Sequence, residues 1–237
     1  LELQAARLGG AGRGLVGGGS GADSLFLYGG TLGDLTGGSG TLDGGEGGDA
    51  FFIGAITLGA AGQGLVSGGG GDDVAVFYGG QVGGASGGDG TFEGGDGGDT
   101  LYSVGMALGE TGGASLLGGS GEDDFYLSAA TSLGAQARID LGADDDNLVL
   151  EDSTLLAAGA VLDGGAGAFD RLSLYGDATG AITDATDLVN FETLTQSGTR
   201  LWLWGKSASF TLGAVTGGTL RLTDNAPPGF SGAFEVG

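Results

Sequence analysis

Apolar residues recur at every second position in short runs, and pairs of glycines break the runs. The stretch TLDGGEGGDAFFI, from Thr41, shows one unit. An apolar residue and a polar one precede two glycines, an acid-bearing turn follows, and a second alternating run begins. A two-residue period places successive side chains on opposite faces and predicts strands. Before the turn, Leu42, Val66, Phe92, Leu116, Ile139 and Leu162 form an inward column, beside outward Asp43, Ser67, Glu93, Leu117, Asp140 and Asp163. After it, Leu25, Phe51, Ala75, Leu101, Phe125, Leu148 and Leu172 form a second inward column. Leu27, Ile53, Phe77, Ser103, Leu127, Leu150 and Leu174 extend that column two residues on. A third short segment, AITL from Ala55 or MAL from Met106, completes a unit of three short strands and three turns.

The unit repeats. GGSGADSLF from Gly18, GGEGGDAFF from Gly44, GGGGDDVAV from Gly68, GGDGGDTLY from Gly94 and GGSGEDDFY from Gly118 align without gaps. LGADDDNLV from Leu141 and GGAGAFDRLS from Gly164 are worn copies, the last with one extra residue. The shared aspartates are Asp23, Asp49, Asp73, Asp99, Asp123, Asp146 and Asp170, which by subtraction lie 26, 24, 26, 24, 23 and 24 residues apart. A fixed period of this length is the mark of a solenoid, in which no coil can bury its apolar face alone. The sequence therefore predicts an all-β fold, a right-handed parallel β-solenoid of ~24-residue coils over residues 9–176, with further coils in the tail. Two regions follow: Gly/Asp-rich repeats at 1–176 and a different tail at 177–237.

Composition narrows the function. The chain has 60 glycines but only 2 prolines among 237 residues, and no Gly-X-Y register, which excludes collagen. It has no cysteine and no histidine, so it forms no disulfide and no zinc–thiolate site. Thirty acids against 7 bases give a net charge of −23. That balance argues against nucleic acid and anionic membranes, which require clustered Lys and Arg, and suits cations. No apolar run approaches the ~18 residues of a membrane-spanning helix. The beginning at Leu1, without a charged-then-apolar leader, reads as a mature or trimmed segment.

The nonapeptide Gly-Gly-x-Gly-x-Asp-x-apolar-x, as it stands at Gly44 and Gly94, resembles the repeat of RTX proteins, secreted bacterial toxins, proteases and adhesins. The resemblance implies a β-roll that holds Ca²⁺ between stacked turns. Asp23, Asp49, Asp73, Asp99, Asp123, Asp146 and Asp170 would then supply carboxylates beside main-chain carbonyls, the hard oxygens calcium prefers. RTX motifs are usually tandem, whereas here one occurs per coil. Asp and Gly also serve in turns without any metal. The clusters EDD at Glu122 and DDD at Asp144 favour cations, because like charges ~5 Å apart repel unless neutralised.

Residues 191–226 resemble the passenger-associated repeat of autotransporters. Leu194-Thr195, Ser197-Gly198, Trp202 or Trp204, and Gly217-Gly218-Thr219-Leu220 occupy the places of that pattern. The resemblance implies a right-handed β-helix exported across the outer membrane of a Gram-negative bacterium, and NAPPGF then interrupts regular structure.

Together these features lead to an extracellular, non-enzymatic scaffold: part of an adhesin, surface layer or surface filament. A polysaccharide-active β-helix enzyme or a glycan-binding module is the alternative. The bases Arg7, Arg13, Arg138, Arg171, Arg200, Lys206 and Arg221 form no column with an outward acid cluster, which disfavours the enzyme. By the strand register Phe26, Phe52, Val76, Tyr102, Tyr126 and Val149 point outward, with Tyr28 and Tyr78 two residues along. Stacked one per coil they predict an apolar, aromatic ribbon for another copy or another surface protein.

Overall fold

The computed structural model describes residues 1–128, 130–151, 155–157, 159–175, 187–197, 200–204, 211–216, 219–223 and 233–235. Every regular element in these residues is a strand. Gly198, Gly217, Gly218 and the NAPPGF stretch, part of the autotransporter-like pattern, lie outside the described residues, as do the side chains of Trp202 and Trp204.

The strands stack as a parallel β-solenoid with two long walls. Strands Glu2–Leu8, Ser24–Leu32, Ala50–Leu58, Val74–Val82, Thr100–Val104, Asp124–Ser128, Asn147–Leu150 and Arg171–Tyr175 follow one another in chain order along the first wall. Arg13–Ser20, Ser39–Glu46, Gln63–Gly70, Asp89–Asp96, Ala114–Ser120, Ala137–Ala143 and Val161–Asp163 do the same along the second. Equivalent repeat positions pair directly: Leu25 with Phe51, Phe51 with Ala75, Ala75 with Leu101, and Leu101 with Phe125. The ~24-residue period is therefore one full turn of the coil.

The third segment is a separate strand only in the later coils. In the second and third coils it continues the first-wall strand, so Ser24–Leu32 and Ala50–Leu58 each run through a corner. Tyr28 pairs with Gly54 and Gly30 with Ile56, which leaves one unpaired position at the bend. Further along, Thr100–Val104 stops and Ala107–Leu108 begins beyond Gly105, and the segment counts as its own strand. Hydrogen bonding on both sides of the corner makes the difference; the coil path is the three-sided one the alternation predicts.

All three inward columns lie in the core. Phe51, Val66, Phe125, Leu127, Ile139 and Leu148 are wholly buried, and Leu116 has the greatest exposure in the columns at 3%. Phe92 reaches across between the walls, with its ring centroid 5.8 Å from Phe77 and 6.0 Å from Phe125 in edge-to-face geometry. Such pairs favour a fixed arrangement over a fluid one.

At one corner, where Gly44, Gly68, Gly94 and Gly118 stand, the coil leaves room for hydrogen only, whereas Leu141 takes this position in a later coil. A Cβ on Gly68 would overlap the Asp73 carboxylate and the main-chain carbonyl of Gly94 in the next coil. Gly69 follows at φ +109°, where a Cβ would meet the carbonyl of Gly45 in the coil before. Gly68→Ala should therefore lower stability by roughly 1–3 kcal/mol, the range for overpacking. Gly10→Ala, where a Cβ would meet open space, should stay within ~0.5 kcal/mol of the parent. Chemical denaturation of both variants checks the contrast.

Candidate functional site

The seven repeat aspartates form one continuous column, and they face inward. Asp23, Leu25 and Leu27 alternate along a single strand side, so the aspartate continues the apolar column rather than decorating the turn. Asp49, Asp73, Asp99, Asp123, Asp146 and Asp170 are each at most 2% exposed, and Asp23, at the open end, is half-buried.

Each carboxylate from Asp49 onward serves the coil before it. The main-chain N–H of Asp23 donates to Oδ1 of Asp49 at 2.7 Å, and that of Asp49 to Asp73 at 2.6 Å. The pattern continues from Asp73 to Asp99 (2.8 Å), Asp99 to Asp123 (2.7 Å), Asp123 to Asp146 (2.8 Å) and Asp146 to Asp170 (2.9 Å). The aspartate carbonyls also reach the next coil, as where the N–H of Val74 donates to Asp49 at 2.8 Å. At this corner the carboxylate supplies the acceptor that a main-chain carbonyl supplies elsewhere in a sheet.

The column ends on a residue that the repeat pattern does not include. The N–H of Asp170 donates to Glu192 Oε2 at 2.9 Å. Glu192 lies 22 residues after Asp170 and precedes strand Thr193–Ser197, which pairs with Arg171–Tyr175. The near-period spacing was its available signal; the change from Asp to Glu concealed it. Asp170 also differs from the others, since the extra residue of its coil lets the Gly167 N–H reach its Oδ2 at 3.2 Å.

Calcium requires six to eight oxygens converging on one point. Here Oδ1 of every aspartate from Asp49 to Asp170 is committed to an N–H, and Oδ2 of Asp49, Asp73, Asp99 and Asp123 lies against a glycine of its own coil. Among the described residues no group of three or more acidic side chains is placed to hold a metal ion. In this arrangement the column does not fit a calcium cage; it is a hydrogen-bond ladder.

Acids on the outside of the turns also bind main chain. Asp72 accepts from Gly98 N–H at 3.0 Å, Asp144 from Gly121 at 3.2 Å, and Asp145 from Ala168 at 2.9 Å. They too tie adjacent coils.

The outer face of the first wall carries the aromatic residues. Phe26 and Phe52 stack with centroids 4.9 Å apart, as do Tyr102 and Tyr126 at 5.0 Å. Tyr28, Tyr78 and Tyr102 are exposed, while Phe26, Phe52, Val76 and Tyr126 are half-buried. Val149 departs from the expected ribbon: it is 4% exposed, and Ser173, next in its column, is 3% exposed. The open ribbon therefore stops at Tyr126. Within the stretches SLFLY, AFFIG, VAVFY and TLYSV, which pair in register from Ser24 to Val104, no side chain is charged.

Among the described bases, Arg7 pairs with Asp34, and Arg138 lies between Asp140 (2.7 Å) and Asp163 (3.3 Å) on the second wall. Arg13, Ser39, Gln63 and Asp89 stand in register along a groove of about 380 Å³. Three strand spacings, roughly 14 Å, separate Arg13 from Asp89, too far for a paired acid and base.

No family model, no curated protein and no solved structure matches this chain.

Asp99→Ala removes the acceptor of a buried N–H and should cost about 1–3 kcal/mol; Asp23→Ala, to which no earlier coil donates, should cost less. Urea midpoints of the two variants compare them. Millimolar Ca²⁺ added to chelator-treated protein should leave the melting temperature within about a degree, because a ligand stabilises only a fold that offers it a site. A rise of several degrees would restore the calcium reading of the turns.

Proposed function

We propose that the chain is a non-catalytic β-solenoid rod, a segment of a secreted surface adhesin, filament or surface-layer protein of a Gram-negative bacterium, which associates laterally through the outer face of its first wall. The observation that carries this reading is the neutral aromatic face. In a chain of net charge −23, four consecutive coils present no charge on one wall while their turns remain acidic. Repulsion between such rods is weakest where the facing surfaces carry no charge.

The size of the face sets the kind of association. Four strands at ~4.8 Å spacing and five residues at ~3.3 Å make a patch of roughly 300 Å². That is enough to mark a contact surface. It is well below the ~800 Å² per partner of a stable pairwise interface. Contacts of this size hold when many are presented together along an array. The partner is accordingly another copy or a similarly repetitive surface protein.

The glycan-binding alternative is less well supported by the rings. Phe26 with Phe52, and Tyr102 with Tyr126, stack face to face, which covers one face of each ring. A sugar stacks on an open face. Export is supported by the resemblance of the repeats and the tail to secreted families.

The combined replacement of Phe52, Tyr102 and Tyr126 by Ser tests the reading. Sedimentation at rising protein concentration should show association for the parent and none for the variant, with unchanged β-sheet circular dichroism. Equal association by both would reject this face as the interface.

A further inference from the structure

Every ladder carboxyl from Asp49 to Asp146 has one oxygen satisfied and one orphaned. Oδ1 accepts the N–H of the preceding coil, while Oδ2 of Asp49, Asp73, Asp99, Asp123 and Asp146 is buried without a donor. The orphan is not beside empty space. A Cβ placed on Gly44 would touch both Asp49 Oδ2 and the carbonyl oxygen of Gly68 in the next coil. The same holds at Gly68 for Asp73 and the Gly94 carbonyl, at Gly94 for Asp99 and the Gly118 carbonyl, and at Gly118 for Asp123 and the Leu141 carbonyl. At each of these four levels two acceptor oxygens share one small space.

Two acceptors facing each other out of water are costly, and more so if one is an anion. Calcium cannot relieve the clash, because the glycine Cα is a single carbon–carbon bond from the shared point. A proton can. We propose that Asp73, Asp99 and Asp123 form a ladder of neutral carboxylic acids, in which each Oδ2 carries a proton and donates it to the main-chain carbonyl of the next coil. The proton comes from solvent, no bond to carbon changes, and each protonated level removes one negative charge from the rod. The stacking of coils is then sensitive to pH.

The surrounding charges act in the same direction. Asp73 faces Asp49 and Asp72; Asp99 faces Asp73, Asp72 and Asp96. Asp123 faces Asp99, Asp146 and Asp124, and Asp146 faces Asp170, Asp144 and Asp145. All are acids, and no base is among them. Burial, assisted by these neighbours and opposed in part by the N–H bonds, raises Asp73 to about 6, Asp99 to about 7, Asp123 to about 8 and Asp146 to about 7. A carboxyl whose pKa is higher in the folded chain contributes stability that is full below the unfolded value, near 4. That contribution is lost as pH rises through the folded values, here between about 6 and 8.

The test is thermal unfolding of the full chain at constant ionic strength from about pH 5 to about pH 9, for the parent, Asp99→Asn/Asp123→Asn, and Glu93→Gln/Glu122→Gln. An amide keeps the Oδ1 acceptor and always carries the donor. The Asn pair should melt several degrees above the parent at the alkaline end and show a shallower pH slope. The Gln pair removes the same charge from exposed positions and should keep the parent's slope. Infrared spectra of protein with ¹³C-labelled aspartate should contain a protonated-carboxyl band near neutral pH that the Asn pair diminishes. Absence of that band in the parent, or an Asn pair that melts below the parent at every pH, would overturn the proposal.

Discussion

One hydrogen bond recurs through this molecule and the rest of the structure depends on it: a buried aspartate carboxyl group accepts the main-chain N–H of the coil before it. At the glycine corner the chain turns too sharply for its own carbonyls to satisfy every N–H of the neighbouring coil. An unpaired buried N–H would cost the fold about 1–3 kcal/mol per level. The aspartate closes that gap and also fixes the register. A slip of one residue would turn every core side chain outward.

With register held, the other features follow as columns. Leucine, isoleucine and phenylalanine stack on their equivalents and fill a narrow core, while glycine stacks on glycine where the walls converge. Each coil touches only its neighbours, so stability accumulates along the rod rather than in one centre. The same stacking concentrates like groups. It places carboxyls one above another away from water, and their affinity for protons increases from Asp73, at about 6, to Asp123, at about 8. The column closes where a different residue, Glu192, accepts the last ladder N–H.

Stacking also separates the surface into an acidic edge and a neutral wall. The aromatic rings of the wall lie parallel at about the strand spacing, so they stabilise the stack itself as well as forming a surface. This double use is why ring exposure is partial for Phe26, Phe52 and Tyr126. It also explains how a chain with so much negative charge keeps one face on which close approach is not opposed.

The period, the strand character and the three inward columns were legible in the sequence, because a two-residue alternation has only one reading once it repeats at a fixed interval. The inward aspect of the aspartates was legible too, in the alternation of Asp23, Leu25 and Leu27, although an acid in a glycine turn suggests solvent or metal first. Other features required the folded chain. Whether Ala55 begins a new strand depends on hydrogen bonds to the coils on either side, and Gly54 and Ala55 have the same local sequence whichever way they are made. Val149 looks like its register partner Tyr126, yet only the three-dimensional path leaves it covered. The partner of each carboxylate lies a full coil away, and the sequence records spacing but not which of two oxygens meets an N–H and which meets a carbonyl. Local alternation determined what points inward; the close approach of successive coils decided what each inward group must bind.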